Sequence, residues 1–317
     1  MEQLEAGACG ICCATPHEAL VFLNAGVRGV LITVPVVQPS HFERLAALHR
    51  QGADFTVVID HPGGVATWRS ALGRPGPRRL PALVDVDIGM GRTGAGTAET
   101  VLQIARTIRD APDLEYAGVQ AYSGRVQHIN EYDQRQRVYG EQLDRLRSIL
   151  SALKQAGLAP VIVSGGGTGT FALDAETGLF TESQAGSYAF MDVEYGRVEM
   201  FRGAHNPWAT SLFLRTSVIS ANVPGQVSLN AGYKCLATDG PDPELAGGEF
   251  AGCRYEFFGD EYGRLVLGPG LPAPPIGSPV DLVTPHCDPT VNLHDWYHVI
   301  EGDTLVDIWA IDARGAL

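Results

Sequence analysis

Val161-Ile162-Val163-Ser164-Gly165-Gly166-Gly167-Thr168-Gly169-Thr170 is an apolar run, a glycine turn and the entry to a helix-like stretch. That unit, a buried strand feeding a helix through a tight loop, decides the fold, because it recurs along the first two thirds of the chain. Other candidate strands are 10–14, 29–34, 54–60, 82–87, 116–122 and 187–193. Amphipathic segments at 16–24, 40–51, 97–109 and 130–155 separate them. Near-continuous apolar strands alternating with helices imply parallel strands covered on both faces. Seven such strands fall one short of a closed (β/α)8 barrel. The shortfall is most simply placed ahead of the first strand, and a seven-strand open sheet is the alternative. The fold expected is therefore α/β + β: a barrel missing its first strand over residues 1–196, then an antiparallel β domain over 197–317. Short β-like runs at 211–221, 225–229, 254–258, 264–267 and 304–310, divided by Gly and Pro, carry the second part. A Pro-rich surface loop is expected at 271–279.

Composition narrows the function classes. The chain has 317 residues, 45% hydrophobic and 19% charged, which describes an ordinary globular protein. A net charge of −13 argues against nucleic acid or anionic membrane as a partner. The longest apolar run, 30–37, is too short to span a bilayer. The first residues lack a secretory pattern, and six cysteines in a chain this long read as reduced thiols, so a cytoplasmic location is expected. Cys9, Cys12 and Cys13 read as small buried core residues rather than as a redox or metal pair. Only two of the 23 basic residues are lysines, Lys154 and Lys234, which leaves little material for lysine-based covalent chemistry.

Four clusters could carry chemistry. The glycines 165–167 with Thr168 form a cup whose amides and hydroxyl can approach a phosphate closely. It is not a Walker loop, since no Lys-Ser/Thr follows, and it lacks the context of a Rossmann fingerprint. Gly186 and Ser187, in Gln184-Ala185-Gly186-Ser187-Tyr188, are placed at the opening of the last barrel strand, where they could complete that anion site. Asp87-Ile88-Gly89-Met90-Gly91-Arg92 delivers Arg92 to a strand end, where a guanidinium can pair with an anionic oxygen. Tyr122 ends another strand and can pack on a planar ring. His128 follows it, where a general base would be placed. Near the C-terminus, Pro285-His286-Cys287-Asp288-Pro289-Thr290 offers an imidazole and a carboxylate two residues apart. On an extended backbone His286 and Asp288 would share a face and could hold a divalent metal, with Asn292, His294 and Asp295 behind them.

Taken together, these stretches, with Gly10-Ile11-Cys12-Cys13-Ala14 and Gln120-Ala121-Tyr122, resemble the D-threonine aldolase and D-serine dehydratase-like family of pyridoxal-phosphate enzymes with the alanine-racemase fold. The resemblance covers essentially the whole chain. It implies a cofactor ring beside Arg92 and Tyr122, with Tyr188 nearby, and a phosphate on Gly165, Gly166, Gly167, Thr168, Gly186 and Ser187. It implies a divalent cation (Mn, Mg, Zn or similar) on His286 and Asp288, and a D-β-hydroxy amino acid as substrate. His128 would take the substrate's hydroxyl proton as the Cα–Cβ bond breaks to glycine and an aldehyde. Dehydratase relatives tend to show His-x-Cys at the metal motif, so Asp288 leans toward the aldolase branch. A D-serine or hydroxyaspartate dehydratase is the alternative. The family's Schiff-base lysine lies upstream of the Gly10–Ala14 match, and neither Lys154 nor Lys234 takes its place. The chain as given is therefore expected to be inactive, and a catalytically dead paralogue that binds a ligand or partner is the reading from another class. An unpaired barrel edge is expected to favour non-native association. The oligomeric state stays open.

Overall fold

The computed structural model describes residues 2–73, 78–204 and 206–315. The chain divides into two compact units, one within residues 1–185 and the other Gly186–Gly315.

The first unit, after a short helix α1 (Glu2–Glu5), is built from β1 (Ile11–Cys13), α2 (Pro16–Asn24), β2 (Val30–Ile32), α3 (Pro39–Arg50), β3 (Phe55–Ile59), α4 (Pro62–Leu72), β4 (Leu80–Asp85), α5 (Ala98–Asp110), β5 (Leu114–Ala121), α6 (Tyr132–Gln155), β6 (Ile162–Gly165), α7 (Phe171–Thr177) and β7 (Glu182–Ser183). The seven strands pair in sequence order and in parallel. Caps start the helices where the sequence supplies them. Thr15 and Glu18 form a reciprocal capping box ahead of Pro16, and Thr97 caps α5. Strand side chains alternate between two apolar layers. Val57 and Ile59 pack outward against Phe42, Trp68 and the other helix residues, while Val58 joins Leu31, Leu83 and Ala117 on the inner face.

The sheet curls. Gln120 Nε2, on β5, donates to Thr33 O at the end of β2, 2.9 Å away, although two strands lie between them in the sheet. The curl does not close by backbone pairing: among the described residues no ladder joins β7 to β1. The result is an incomplete barrel of seven strands, as expected, with its gap between the first and last strands. At that gap Cys9 and Cys12 are exposed, and only Cys13 is buried. The core reading fails for the first two because an edge strand leaves its inward-facing side uncovered.

One expected strand is misplaced. Residues 187–193 form no strand, and the seventh strand is the short polar Glu182–Ser183. Thr181 N and Gln184 N donate to Val163 O and Gly165 O, so the ladder is complete before the apolar run begins. The run then bends through a 3-10 turn at Ser187–Ala189 and a left-handed Met191 (φ 53°). Its amides at 193 and 194 donate to Thr284 O and Pro285 O, within the second unit. The segment Gln184–Tyr188 thus follows the last strand instead of opening it.

In the second unit, α8 (Val193–Gly196) precedes β8 (Phe213–Ser220), β9 (Gln226–Leu229), β10 (Glu244–Leu245), β11 (Arg254–Phe257), β12 (Gly263–Val266) and β13 (Pro279–Val283). These six form one antiparallel sheet in the order β10-β13-β8-β9-β12-β11. Val218, Val227, Leu229, Tyr255, Leu265, Val280 and Leu282 make its core. A helix, α9 (Cys287–Val291), and a hairpin of β14 (Trp296–Glu301) and β15 (Thr304–Ala310) end the unit. Among the described residues no helix is long and apolar enough to cross a membrane.

Candidate functional site

Arg92 sits on a loop that the sequence fixes tightly. One oxygen of Asp87 accepts from the amides of Gly89, Met90 and Gly91 at 2.8, 2.8 and 3.0 Å. Burial pushes this carboxyl up, but the three amides, helped by Arg145, outweigh it and hold Asp87 below the ordinary value. Gly94 closes the loop at φ 99°, where a Cβ would lie 2.6 Å from Asp87 N. The loop lays the Arg92 guanidinium over the Tyr122 ring, 5.4 Å from its centroid. Met90 Sδ accepts from Gly124 N, 3.3 Å away, which ties this loop to the one after β5. Arg92 and Tyr122 are therefore brought together.

His128 is half-buried at the end of a 3-10 turn, Arg125–His128. The buried Arg135 donates to Ile129 O and Asn130 O, fixing the backbone just beyond it.

The glycine loop is wholly buried. Gly166 takes φ 68°, the left-handed conformation from which anion nests are made. Two amides are already engaged from behind. Gly167 N points to Thr170 Oγ1 (3.2 Å) and Asp174 Oδ2 (3.4 Å), and Gly169 N donates to Gln127 Oε1 (2.9 Å). A Cβ at Gly166 or Gly167 would strike Asp174 or Gln127. Part of the demand for glycine is thus internal packing. Sequence reasoning singled out the glycines, read Gln127 only as the neighbour of His128, and missed Asp174, whose spacing from the loop carries no motif.

Below the strand ends lies a polar layer that was also missed. Asp85, almost fully buried, accepts from Gln120 Nε2 (2.9 Å) and Thr93 Oγ1 (2.7 Å). Gln184 Nε2 bonds Gln120 Oε1 and Ser164 Oγ. Burial pushes the Asp85 carboxyl up, against the pull of Gln120 and Thr93. Within the first unit no lysine reaches these strand ends. Lys154 is exposed in the last turn of α6, and in the second unit Lys234 is exposed and paired with Glu261.

In the second unit, Gly186 is exposed, Ser187 and Tyr188 are half-buried, and the Tyr188 ring lies 5.9 Å from that of Trp208. His286 and Asp288 are not on an extended backbone. His286 is the N-cap of α9 and Asp288 lies in its first turn. Pro289 suits a helix start, and Thr290 Oγ1 donates back to His286 O, so the helix begins where a strand was expected. Two groups that the sequence did not flag surround His286. Its Nδ1 is 2.9 Å from Asp239 Oδ2 and 4.0 Å from Glu194 Oε2. Asp192, buried, caps both neighbouring helices, accepting from Tyr195 N and Cys287 N at 2.8 Å each. Burial first, then Asp192, pushes the Cys287 thiol up to about 12, so it stays protonated. The other residues of the motif are occupied elsewhere: His294 Nε2 on Cys235 O, Asp295 on Arg314, and Asn292 Oδ1 on Gly315 N. Among the described residues no group of three or more His, Cys, Asp and Glu is close enough to hold a metal ion.

The alanine racemase N-terminal domain profile matches residues 1–194, more than half of the chain. The chain belongs to that family. A serine dehydratase domain profile matches residues 211–300. Among similar proteins are a D-threonine aldolase from Arthrobacter sp, 38% identical over 99% of this chain and 82% of its own length, and a 3-hydroxy-D-aspartate aldolase from Paracoccus denitrificans, 35% identical over 98% and 79%. The crystal structure of D-threonine aldolase from Filomicrobium marinum superposes with TM-score 0.91 at 32% identity, covering 98% of this chain and 83% of that one. A D-threo-3-hydroxyaspartate dehydratase from Delftia sp. HT23, at 22% identity and TM-score 0.82, shares the fold. Within the alanine racemase-like family, this chain therefore resembles lyases of β-hydroxy amino acids over nearly its whole length.

Proposed function

We propose that this chain is built for cleavage of D-β-hydroxy amino acids of the D-threonine type, with pyridoxal 5'-phosphate and a divalent cation. The observation that carries the reading is the Arg92–Tyr122 pair, a cation laid on an aromatic face at a barrel strand end, in a chain so similar to the D-threonine aldolases.

The residues fit the coenzyme in part. Arg92 and Tyr122 offer a flat wall and a fixed positive charge for its ring, with Tyr188 as a further aromatic. In the first unit the loop of Gly165, Gly166, Gly167 and Thr168 is the phosphate cup of this reading, with Gly166 already in a nest conformation. The bound coenzyme supplies an electron sink for the pair left on Cα. His286 fits a cation through its other ring nitrogen. An imidazole that gives its Nδ1 proton to Asp239 carries its lone pair on Nε2, the tautomer that a metal ligand needs. Asp288 is the second ligand, and the cation's contribution is Lewis-acid pull on the β-hydroxyl. His128 takes the hydroxyl proton. The Cα–Cβ bond then breaks, the oxygen leaves as the aldehyde carbonyl, and Cα gains a proton to give glycine.

The first unit's strand ends carry no lysine, so this reading has the coenzyme held there without a covalent tether. A substrate that brings its own amine can still react there, though slowly. The test is product analysis of the chain supplied with pyridoxal phosphate and Mn²⁺ and given D- or L-threonine. Slow, metal-dependent formation of glycine and acetaldehyde from the D isomer alone is expected. Ammonia and 2-oxobutanoate would favour the dehydratase reading. No product at all, with no coenzyme bound, would favour a binding paralogue.

A further inference from the structure

Behind the glycine loop stands a buried polar frame that the proposed chemistry does not use. Asp174, on α7, accepts from Tyr139 OH (2.7 Å), Thr170 Oγ1 (2.8 Å) and more weakly Gly167 N (3.4 Å). Gln127 accepts from Gly169 N and donates to Ser123 O and Thr170 Oγ1, each at 3.1 Å. Tyr139, Gln127, Thr170 and Asp174 are all buried. Among the described residues no Lys or Arg pairs with Asp174. A buried carboxyl with no cation is costly, and an apolar side chain would fill the same space more cheaply. What the apolar side chain could not do is fix the direction of the Gly167 amide, as Gln127 fixes that of Gly169. The contacts are also shape-specific: a Cβ at Gly166 would lie 2.2 Å from Asp174 Oδ2, and one at Gly169 would lie 2.1 Å from Gln127 O.

We infer that Asp174 and Gln127 are positioning residues for the anion loop: by taking the amides of Gly167 and Gly169 from behind, they fix the loop backbone in one conformation before any ligand arrives. This rests on reading the loop as the phosphate site. Gln127 immediately precedes His128, so the same frame ties the loop to the segment carrying the proposed base. Preorganisation of this kind raises affinity by sparing the ligand the ordering cost.

The experiment compares the full chain with Asp174→Asn and Gln127→Leu. Asn keeps the size of Asp174 but cannot accept from both hydroxyls. Binding is measured with pyridoxal phosphate, and with inorganic phosphate as its competitor. Amide hydrogen exchange is followed at 165–170 and, for reference, in β2 to β4. Each variant should weaken both ligands about tenfold or more, the scale of one buried hydrogen bond to a charged group. Exchange at 165–170 should quicken while β2 to β4 stay protected. Affinity within twofold of the parent would overturn the inference. If the parent binds neither ligand, the phosphate reading itself fails. Exchange then decides the rest: faster loop exchange in the variants supports the frame, and unchanged exchange refutes it. Should Asp174→Asn fail to fold, Thr170→Val removes the hydroxyl shared by both residues and takes the same test.

Discussion

At the scale of single residues, Asp87 shows how a carboxylate makes a loop. Three amides converge on one of its oxygens, and the loop they form carries Arg92 to Tyr122. Asp87→Ala should cost about 1–3 kcal/mol of stability in denaturant unfolding and release Arg92 from the ring. The pH dependence has a definite sign. The folded carboxyl titrates below the ordinary value of 3.8. Its stabilisation is therefore complete above that value and is lost as pH falls through the lower folded value. Asp87→Ala should accordingly flatten the acid limb of a stability–pH curve. Arg92→Met removes the charge but keeps the length, and should weaken pyridoxal phosphate by about fivefold, the scale of a partly exposed cation–π or ion-pair contact. A spectrophotometric titration measures it, and an unchanged affinity would remove Arg92 from the ring site.

At the scale of elements, the sequence was legible where side-chain period and local chemistry agree. Six of the seven parallel strands lie where their apolar runs placed them, and all but the edge strand β1 are buried largely on both faces. The seventh was not, because β7 is two polar residues whose place is set by ladder bonds to β6. The apolar run after it belongs to the second unit. β13 was hidden by Pro279 at its first position, where a strand tolerates proline. The metal motif was legible as residues and misread as geometry. Prolines at 285 and 289 suggested an extended stretch, yet one of them sits inside the first turn of α9. Asp239 and Asp192 could not be found from sequence: they lie 47 and 95 positions from the residues they hold. The glycine loop gives the sharpest element-level prediction. Gly166→Ala should destabilise the chain by about 2 kcal/mol or more, as it meets both a left-handed φ and Asp174. Thermal unfolding measures the loss. His286→Ala should abolish any Mn²⁺ dependence of product formation and leave pyridoxal phosphate affinity unchanged, which equilibrium titration of each ligand separates.

At the scale of the whole molecule, one unit is built on a curled parallel sheet and the other on an antiparallel sheet. The parallel sheet ends on two unpaired edges, but those strands have only three and two residues. Short edges template little intermolecular pairing, which moderates the association expected from the sequence. Lys154 is exposed on α6, and Lys234 lies in the second unit, paired with Glu261. The ends of the parallel strands carry Arg92, Tyr122, the glycine loop and a buried polar layer, and the first unit's one lysine, Lys154, lies on α6. The coenzyme should therefore bind reversibly. The most direct measurement is to saturate the 317-residue chain with pyridoxal phosphate, treat half with borohydride, dialyse both halves and map any label by peptide mass. The expected result is saturable binding that dialysis removes from both halves, with no labelled peptide. Absence of saturable binding, or a label on Lys154 or Lys234, would contradict it.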